Sequence, residues 1–583
     1  MRALQYLNRY LKKYRFLILL GLLFTVSSRV FAVVAPSLVG DSITAIEQFI
    51  RSGEANLTDI KILLLTNIAL IIGAALISGL FTFSMRQTII NVSRHIEYDL
   101  KNNVYDHYQK LSLRFFKQNR VGDLMSRISE DVSRVRMYVG PALMYSINTV
   151  TLFIIVISYM VSVAPKLTLY TLLPLPILSF LIYRLSRAIH ERSTLVQQML
   201  SKLSAFSQES FSGINVIKSY AIERNRTSGM VSISKESRNK NMSLVKVQAW
   251  FFPLMILLIG ISNVLVIFIG GNQYINGQIE LGVLAEFIIY VNMLTWPVAS
   301  VGWVTSLIQR AEASMERINE FLDTKCNIKN PTEKDTDISG NITFKDVSFI
   351  YPDTGIKALK NISFSVKENE TLGIFGKTGS GKSTIANLMC RLYDTDNGSI
   401  FFGNTDIKEL NLSQLRKNIG YVPQDGFLFS GTANQNISFG KDRYQQSEII
   451  NATNTAEITK EIENFPDKYD TIIGERGVQL SGGQRQRISI ARAIFIKPPI
   501  YIFDDCLSAI DANKEQKILN NLKNITNNNT NIIISHRTSS IKNSNHIIVL
   551  DKGEITEEGT HDELIKNNGF YAGIHKKQTT ENQ

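Results

Sequence analysis

Gly376-Lys-Thr-Gly-Ser-Gly-Lys-Ser-Thr384 decides how this chain is read. Its order is G-x-x-x-x-G-K-[ST], with Gly376, Gly381, Lys382 and Ser383 at the defining positions. Glycines at such spacing let successive backbone N–H groups turn inward around an anion, and a following helix adds its partial positive charge. The flanks predict that setting. Thr371–Phe375 is a short apolar run with the character of a buried strand, and Ile385–Cys390 continues as an apolar helix. The loop from Gly376 through Lys377, Thr378, Gly379, Ser380, Gly381, Lys382 and Ser383 to Thr384 is therefore expected to wrap phosphates. The Lys382 ammonium can reach the terminal phosphates, and the Ser383 hydroxyl can hold Mg²⁺.

Outward from the loop, the chain divides by composition. At 583 residues it exceeds one core. The first half holds six apolar runs of membrane-spanning length, near 16–35, 63–83, 145–164, 167–185, 251–269 and 283–304. The net charge of +12 is placed unevenly. Arg2, Arg9, Lys12, Lys13 and Arg15 precede the first run. Arg86, Arg94, Lys101, Arg114, Arg120 and Arg134 lie between the second and third, and Arg187, Lys202, Lys218, Arg224 and Lys246 between the fourth and fifth. The other connections are poor in basic residues, with Arg51 alone in 41–60 and none from Gly271 to Gly282. This alternation predicts a cytoplasmic N-terminus, two long cytoplasmic loops and a cytoplasmic C-terminal domain. It also assigns the basic excess to membrane topology rather than to nucleic acid. No cleavable signal peptide is expected. Cys326, Cys390 and Cys506 are scattered without the spacing of a disulfide framework or a metal site.

Apolar residues at three- and four-residue spacing, such as Leu100, Val104, His107, Tyr108 and Leu111, predict that the long loops are helices extending the spans. Bends are expected near Phe116–Asp123 and Phe211–Glu223. Arg29, Asn67, Asn148, Asn263, Glu286 and Asn292 stand inside the runs, as functional groups or as helix–helix hydrogen bonds. Pro174, Pro176, Pro253 and Pro297 can kink helices.

The second half alternates strands and helices, which predicts an α/β domain. Tyr351, in Val-Ser-Phe-Ile-Tyr-Pro, offers an aromatic face. Gln424 follows Gly-Tyr-Val-Pro. Leu480-Ser-Gly-Gly-Gln-Arg-Gln-Arg487 opens a helix with Ser481, Gly482, Gly483 and Gln484 at its start. Ile500–Asp504 reads as a buried strand ending in a carboxylate, followed at once by Asp505, then Ser508-Ala-Ile-Asp511. Ile532-Ile-Ile-Ser-His536 is another strand ending in a polar residue.

These stretches together resemble the ATP-binding cassette family over almost the whole chain. Leu-Ser-Gly-Gly-Gln beside a phosphate loop is highly specific to it. Gly122–Arg127 with Asp131, and Gly213–Tyr220 with Glu223, look like the two cytoplasmic loops of six-span exporters. Thr471-Ile-Ile-Gly-Glu-Arg-Gly477 resembles the exporter segment that contacts those loops. The resemblance implies an all-α transmembrane domain of six helices over 1–322, a linker over 323–340, an α/β ATP-binding cassette over 341–575 and a tail over 576–583. It implies ATP and Mg²⁺ as cofactors, with adenine on Tyr351 and the metal held by Ser383, Gln424 and Asp504. Ser481, Gly483 and Asp511 would face ATP bound to a second half-transporter, and His536 would contact the γ-phosphate. One phosphate loop and one signature per chain imply a dimer, homomeric or heteromeric. The family usually places Glu where Asp505 stands. The implied activity is ATP-driven export or flipping of a lipid, drug or other amphipathic substrate across the cytoplasmic membrane. The alternative is an ATP-binding, weakly hydrolysing regulatory subunit of a heterodimer. Nucleic acid has no place in either.

Overall fold

The computed structural model describes residues 3–52, 57–336, 338, 340–439, 441, 443–474, 480–508, 510–526 and 528–581. The chain forms two compact units. One takes the residues up to Tyr108 together with Gly122–Thr324, and the other takes Gln109–Val121 with the residues from Lys325 onward.

The first unit is helical. Among the described residues six helices are long and apolar enough to cross a membrane: Arg15–Arg51, Leu57–Lys110, Val121–Val163, Pro165–Ser212, Glu223–Ile275 and Leu281–Leu322. In hydrocarbon every backbone N–H and C=O needs an internal partner, which selects helices for these runs. Leu65, Ile68, Leu70, Ile72 and Leu76 all stand exposed on the second helix, as side chains meeting lipid do. The helices outrun the bilayer. Leu57–Lys110 has 54 residues, about 80 Å of helix against roughly 30 Å of hydrocarbon. At the expected bends the chain breaks into short helices, Leu113–Gln118 and Val121–Ser126 at the first and Ile214–Ser219 at the second.

The core of this unit gathers Val33, Val156, Met160, Phe287, Tyr290 and Leu294. Gly40 and Gly282 let the first and sixth helices touch backbone to backbone. A Cβ on Gly282 would stand 1.9 Å from the Gly40 carbonyl oxygen. Polar groups join the helices elsewhere. Ser28 and Thr82 share a 2.7 Å hydrogen bond, and Asn67 donates to Ser42 Oγ at 2.9 Å. Tyr290 donates its hydroxyl to the Val33 carbonyl at 2.9 Å and lies 3.1 Å from Glu286 Oε1. Asn292 turns back to Ile288 of its own helix. Asn67 thus joins two helices and Glu286 bonds Tyr290 of its own, whereas Arg29 Nε, Asn148 Oδ1 and Asn263 Oδ1 are buried without a protein partner among the described residues. Of the prolines, Pro174 starts a helix and Pro297 lies within one. Beyond the first bend, Asp123 accepts from Arg127 and Arg317, and Asp131 accepts from Ser314. This ties the chain after the bend to the last helix.

The second unit is α/β. Its central sheet has six strands, and five run parallel. Numbered in chain order, the strands are β1 (Ile342–Ile350), β2 (Lys357–Val366), β3 (Thr371–Gly376), β4 (Asn397–Phe402), β5 (Thr405–Asp406), β6 (Ile419–Val422), β7 (Gly431–Thr432), β8 (Ile472–Ile473), β9 (Ile500–Asp504), β10 (Thr530–Ser535), β11 (His546–Asp551) and β12 (Glu554–Gly559). The central order is β12-β11-β3-β10-β9-β6, and a second, antiparallel sheet runs β2-β1-β4-β5. β9 is buried throughout and β3 nearly so, which is why both read as unbroken apolar runs instead of alternating ones. From Glu475 onward, the segment Thr471–Gly477 lies outside the described residues.

Candidate functional site

Register assembles the site. β10 pairs in parallel with β3, Ser535 beside Phe375, and with β9, Ile534 beside Asp504. β6 pairs with β9, Val422 beside Phe503. Parallel strands in register end together. The loop after β3, the carboxylates at the end of β9, His536 after β10 and Gln424 after β6 therefore meet along one edge. In open α/β sheets, ligands bind outside the carboxyl ends of the strands.

At that edge Gly376–Gly381 leads into the helix Lys382–Met389. Gly381 has φ +105°, and a Cβ there would stand 2.4 Å from the Ala358 carbonyl oxygen. Only glycine fits both constraints. Lys382 donates to the carbonyl oxygens of Gly376 and Lys377, both at 2.8 Å. Burial pulls its ammonium below the usual lysine range, opposed by the nearby charges of Asp505 and Asp504. Ser383 donates to Asp504 Oδ1 at 2.9 Å, and Tyr421 stands 3.4 Å from Oδ2. Burial pushes the Asp504 carboxyl up, Asp505 adds to this, and the Ser383 hydroxyl opposes it. Ser380 Oγ is buried inside the loop without a protein partner among the described residues. A buried lysine, an orphaned hydroxyl and two adjoining carboxylates suit a phosphate chain with a divalent cation.

Asp505 is left-handed, with φ +47°. Aspartate tolerates that conformation better than glutamate, because its short side chain can bond locally. Both its carboxylate oxygens contact His536 Nδ1, at 2.9 and 3.0 Å.

Tyr351 bonds Thr384 through its hydroxyl at 3.0 Å, so the aromatic face is fixed against the loop. The Lys117 ammonium lies 4.9 Å from its ring centroid and 5.5 Å from that of Tyr393. The Gln424 carbonyl accepts from Gln486 at 3.0 Å. Ser481 caps the helix Gly482–Ile496 by accepting from the Gln484 amide, while the Gln484 side chain accepts from the Ser481 amide. Among the described residues, no hydrogen bond or ion pair joins Leu480–Gln484 or Asp511 to the loop. One chain thus brings together Tyr351, Gly376–Thr384, Asp504, Asp505 and His536, and among the described residues no such bond adds the Leu480–Gln484 stretch to them.

Residues 17–298 match the family model described as the ABC transporter transmembrane region, and residues 359–508 match that described as ABC transporter. The chain belongs to the ABC transporter family. Among its relatives is the protein named as the probable multidrug resistance ABC transporter ATP-binding/permease protein YheI of Bacillus subtilis. The two are 36% identical over 82% of each chain. The multidrug resistance-like ATP-binding protein MdlA of Escherichia coli is 32% identical over 98% of this chain and 95% of its own. This ABC transporter is a multi-pass membrane protein and an ATPase coupled to transport, as the fused helical and cassette domains imply.

The signature helix of this transporter is braced by Glu461, which accepts from Arg487 at 2.8 and 2.9 Å and from Lys514 at 2.7 Å. Burial alone would raise its carboxyl, but the Arg487 and Lys514 bonds prevail and hold it at about 2. A depressed carboxyl stabilises the fold above its ordinary value of 4.5, and that contribution is lost as pH falls towards 2. Glu461→Gln is expected to lower the melting temperature by a few degrees at pH 7. In thermal scans, the gap to the parent chain should shrink steadily below pH 4.5.

Three residues of the site escaped the sequence. Tyr421 and Gln486 lie within stretches already singled out, beside Gln424 and after the Leu480–Gln484 signature, and that placement was the available sign. Lys117 reaches the site from a segment without any local motif.

Proposed function

We propose that this chain is an exporter half-transporter of the multidrug-resistance type that works as a dimer and moves an amphipathic substrate, drug or lipid, outward. The observation that carries the reading is that, among the described residues, the Leu480–Gln484 stretch makes bonds within its own helix start and none to the phosphate loop of the same chain. Each lacks what the other supplies, so two chains placed head to tail complete two sites. Ser481 and Gly483, at a helix N-terminus, then offer partial positive charge to the partner's γ-phosphate, with Asp511 across the same interface. The domain boundaries are those drawn from the sequence, with the linker over 323–340.

Within a site, adenine stacks on Tyr351 and Gly376–Thr384 wraps the phosphates. Ser383, Gln424 and Asp504 would hold Mg²⁺, whose charge would offset that of the phosphates. Lys382 leaves its carbonyl partners for the terminal phosphates. Asp505 orients the attacking water, and His536 steadies Asp505 and reaches the γ-phosphate. ATP closes the two cassettes and hydrolysis releases them, which switches access of the spans from inside to outside. The multidrug naming of YheI and MdlA supports the substrate class.

The test of the assembly is cross-linking of a cysteine at Ser481 to one at Ser380 in a chain without native cysteines. Bridging between two chains that rises with ATP is the expected result, and bridging within one chain overturns the reading. Orientation has its own test. Ile275 and Tyr220 are both well exposed. A tag at Ile275 should label from outside the cell, and a tag at Tyr220 only after the membrane is opened.

A further inference from the structure

The last helix, Phe570–Glu581, approaches the edge of the sheet where His536 stands. Tyr571 anchors it. Its ring is fully buried with Phe375, Ile541, Ile547 and Val549, and its hydroxyl bonds His561 Nδ1 at 2.8 Å. The Tyr571 amide donates to Glu557 at 3.2 Å. Phe375 belongs to β3, so the helix is seated on the strand that delivers the phosphate loop. Two turns on, Gln578 makes three hydrogen bonds to one short stretch. Its Nε2 donates to the His536 carbonyl at 3.0 Å. Its Oε1 accepts from the Thr538 amide at 2.9 Å and from the Thr538 hydroxyl at 3.0 Å. His575, one turn earlier on the same face, bonds the Thr538 hydroxyl at 2.9 Å.

We propose that Gln578 is a positioning residue that sets His536 against Asp505 by clasping the backbone on both sides of Arg537. Arg537 completes the hold. Its guanidinium donates to Glu515 at 2.7 Å and to the Ser508 carbonyl at 3.0 Å, which ties the stretch to the segment leading to Asp511. His536 itself is nearly half exposed. Its ring is aimed by the backbone it hangs from and by Asp505. The amide side chain is suited to the task because it donates and accepts at once. Glutamate keeps the acceptor for Thr538 and loses the donor for His536.

The inference rests on the reading that His536 serves the γ-phosphate, and the test separates the two. Full-length parent, Gln578→Ala, Gln578→Glu, His536→Ala and the Gln578→Ala/His536→Ala double variant are compared in nanodiscs. Phosphate release gives kcat and KM. Displacement of a fluorescent nucleotide gives the preference for ATP over ADP, which needs no turnover. Gln578→Ala and Gln578→Glu are expected to lower kcat about ten- to a hundredfold with KM little changed, the cost of a displacement near 1 Å. Both should weaken the preference for ATP. The double variant should be no worse than His536→Ala, because both changes remove one interaction. Full activity in Gln578→Glu would reduce Gln578 to a cap on Thr538 and overturn the proposal, as would additive losses in the double variant. An unchanged ATP preference in Gln578→Ala beside a lost one in His536→Ala would also overturn it. Parental turnover and preference in His536→Ala would instead remove the reading of His536 itself.

Discussion

Lys382→Ala is expected to abolish ATP turnover, by about a thousandfold or more, and to leave the chain folded. Both parts follow from the geometry. The ammonium is held inside the loop by the Gly376 and Lys377 carbonyls, beside the charges of Asp504 and Asp505. Removing a single preorganised donor from developing charge costs about a hundred- to a thousandfold in rate, and here a full positive charge goes as well. The fold loses only the bonds to the Gly376 and Lys377 carbonyls. Burial already disfavours this charge, so the loss of those bonds is partly offset by the loss of a desolvated cation. Phosphate release in nanodiscs checks the first part, and the melting temperature with the elution position checks the second. Normal turnover would remove the assignment of the phosphate loop.

The second large effect is expected at Asp505. Asp505→Asn should reduce turnover by two orders of magnitude or more, while nucleotide binding stays. The carboxylate touches His536 Nδ1 through both oxygens, so it is already placed for work on a water molecule. The amide removes the charge and presents an N–H where an acceptor is needed. A shorter arm than the usual glutamate, by about 1.5 Å, is compensated by the backbone. The left-handed turn at Asp505, with φ +47°, suits aspartate and sets its own direction for the side chain. Asp505→Glu is therefore expected to fall short of the parent chain. Turnover that collapses in Asp505→Asn identifies a homodimer in which aspartate serves. A parent chain that binds ATP without turnover, and gains it when mixed with a partner carrying glutamate, identifies the regulatory subunit instead.

The legible and illegible parts of this protein divide on a physical line. Gly376–Ser383 and Leu480–Gln484 could be read because a backbone that must approach an anion accepts few residues, and those residues are consecutive. β3 and β9 could be read because strands buried on both faces are almost wholly apolar until they reach the site. The six spans could be read because lipid leaves little choice of composition. Gln578 and Lys117 could not. Each acts through a side chain brought from a distant segment, and glutamine or lysine on an exposed helix has many uses. The same limit hid the role of Asn67, whose partner Ser42 on another helix only a packed structure supplies.

The length of Leu57–Lys110 has a mechanical consequence. Roughly 30 Å of this continuous helix is accounted for by hydrocarbon, which leaves about 50 Å as an arm outside it. Tilting a rod of that length by about 5° carries its tip some 4 Å, not far short of one helical turn. The same tilt moves side chains beside the fulcrum by only a fraction of an ångström. Such an arm trades displacement for force. A large stroke at its far end becomes a small, strong motion among tightly packed spans, of the size that close contacts such as Gly40 against Gly282 can register.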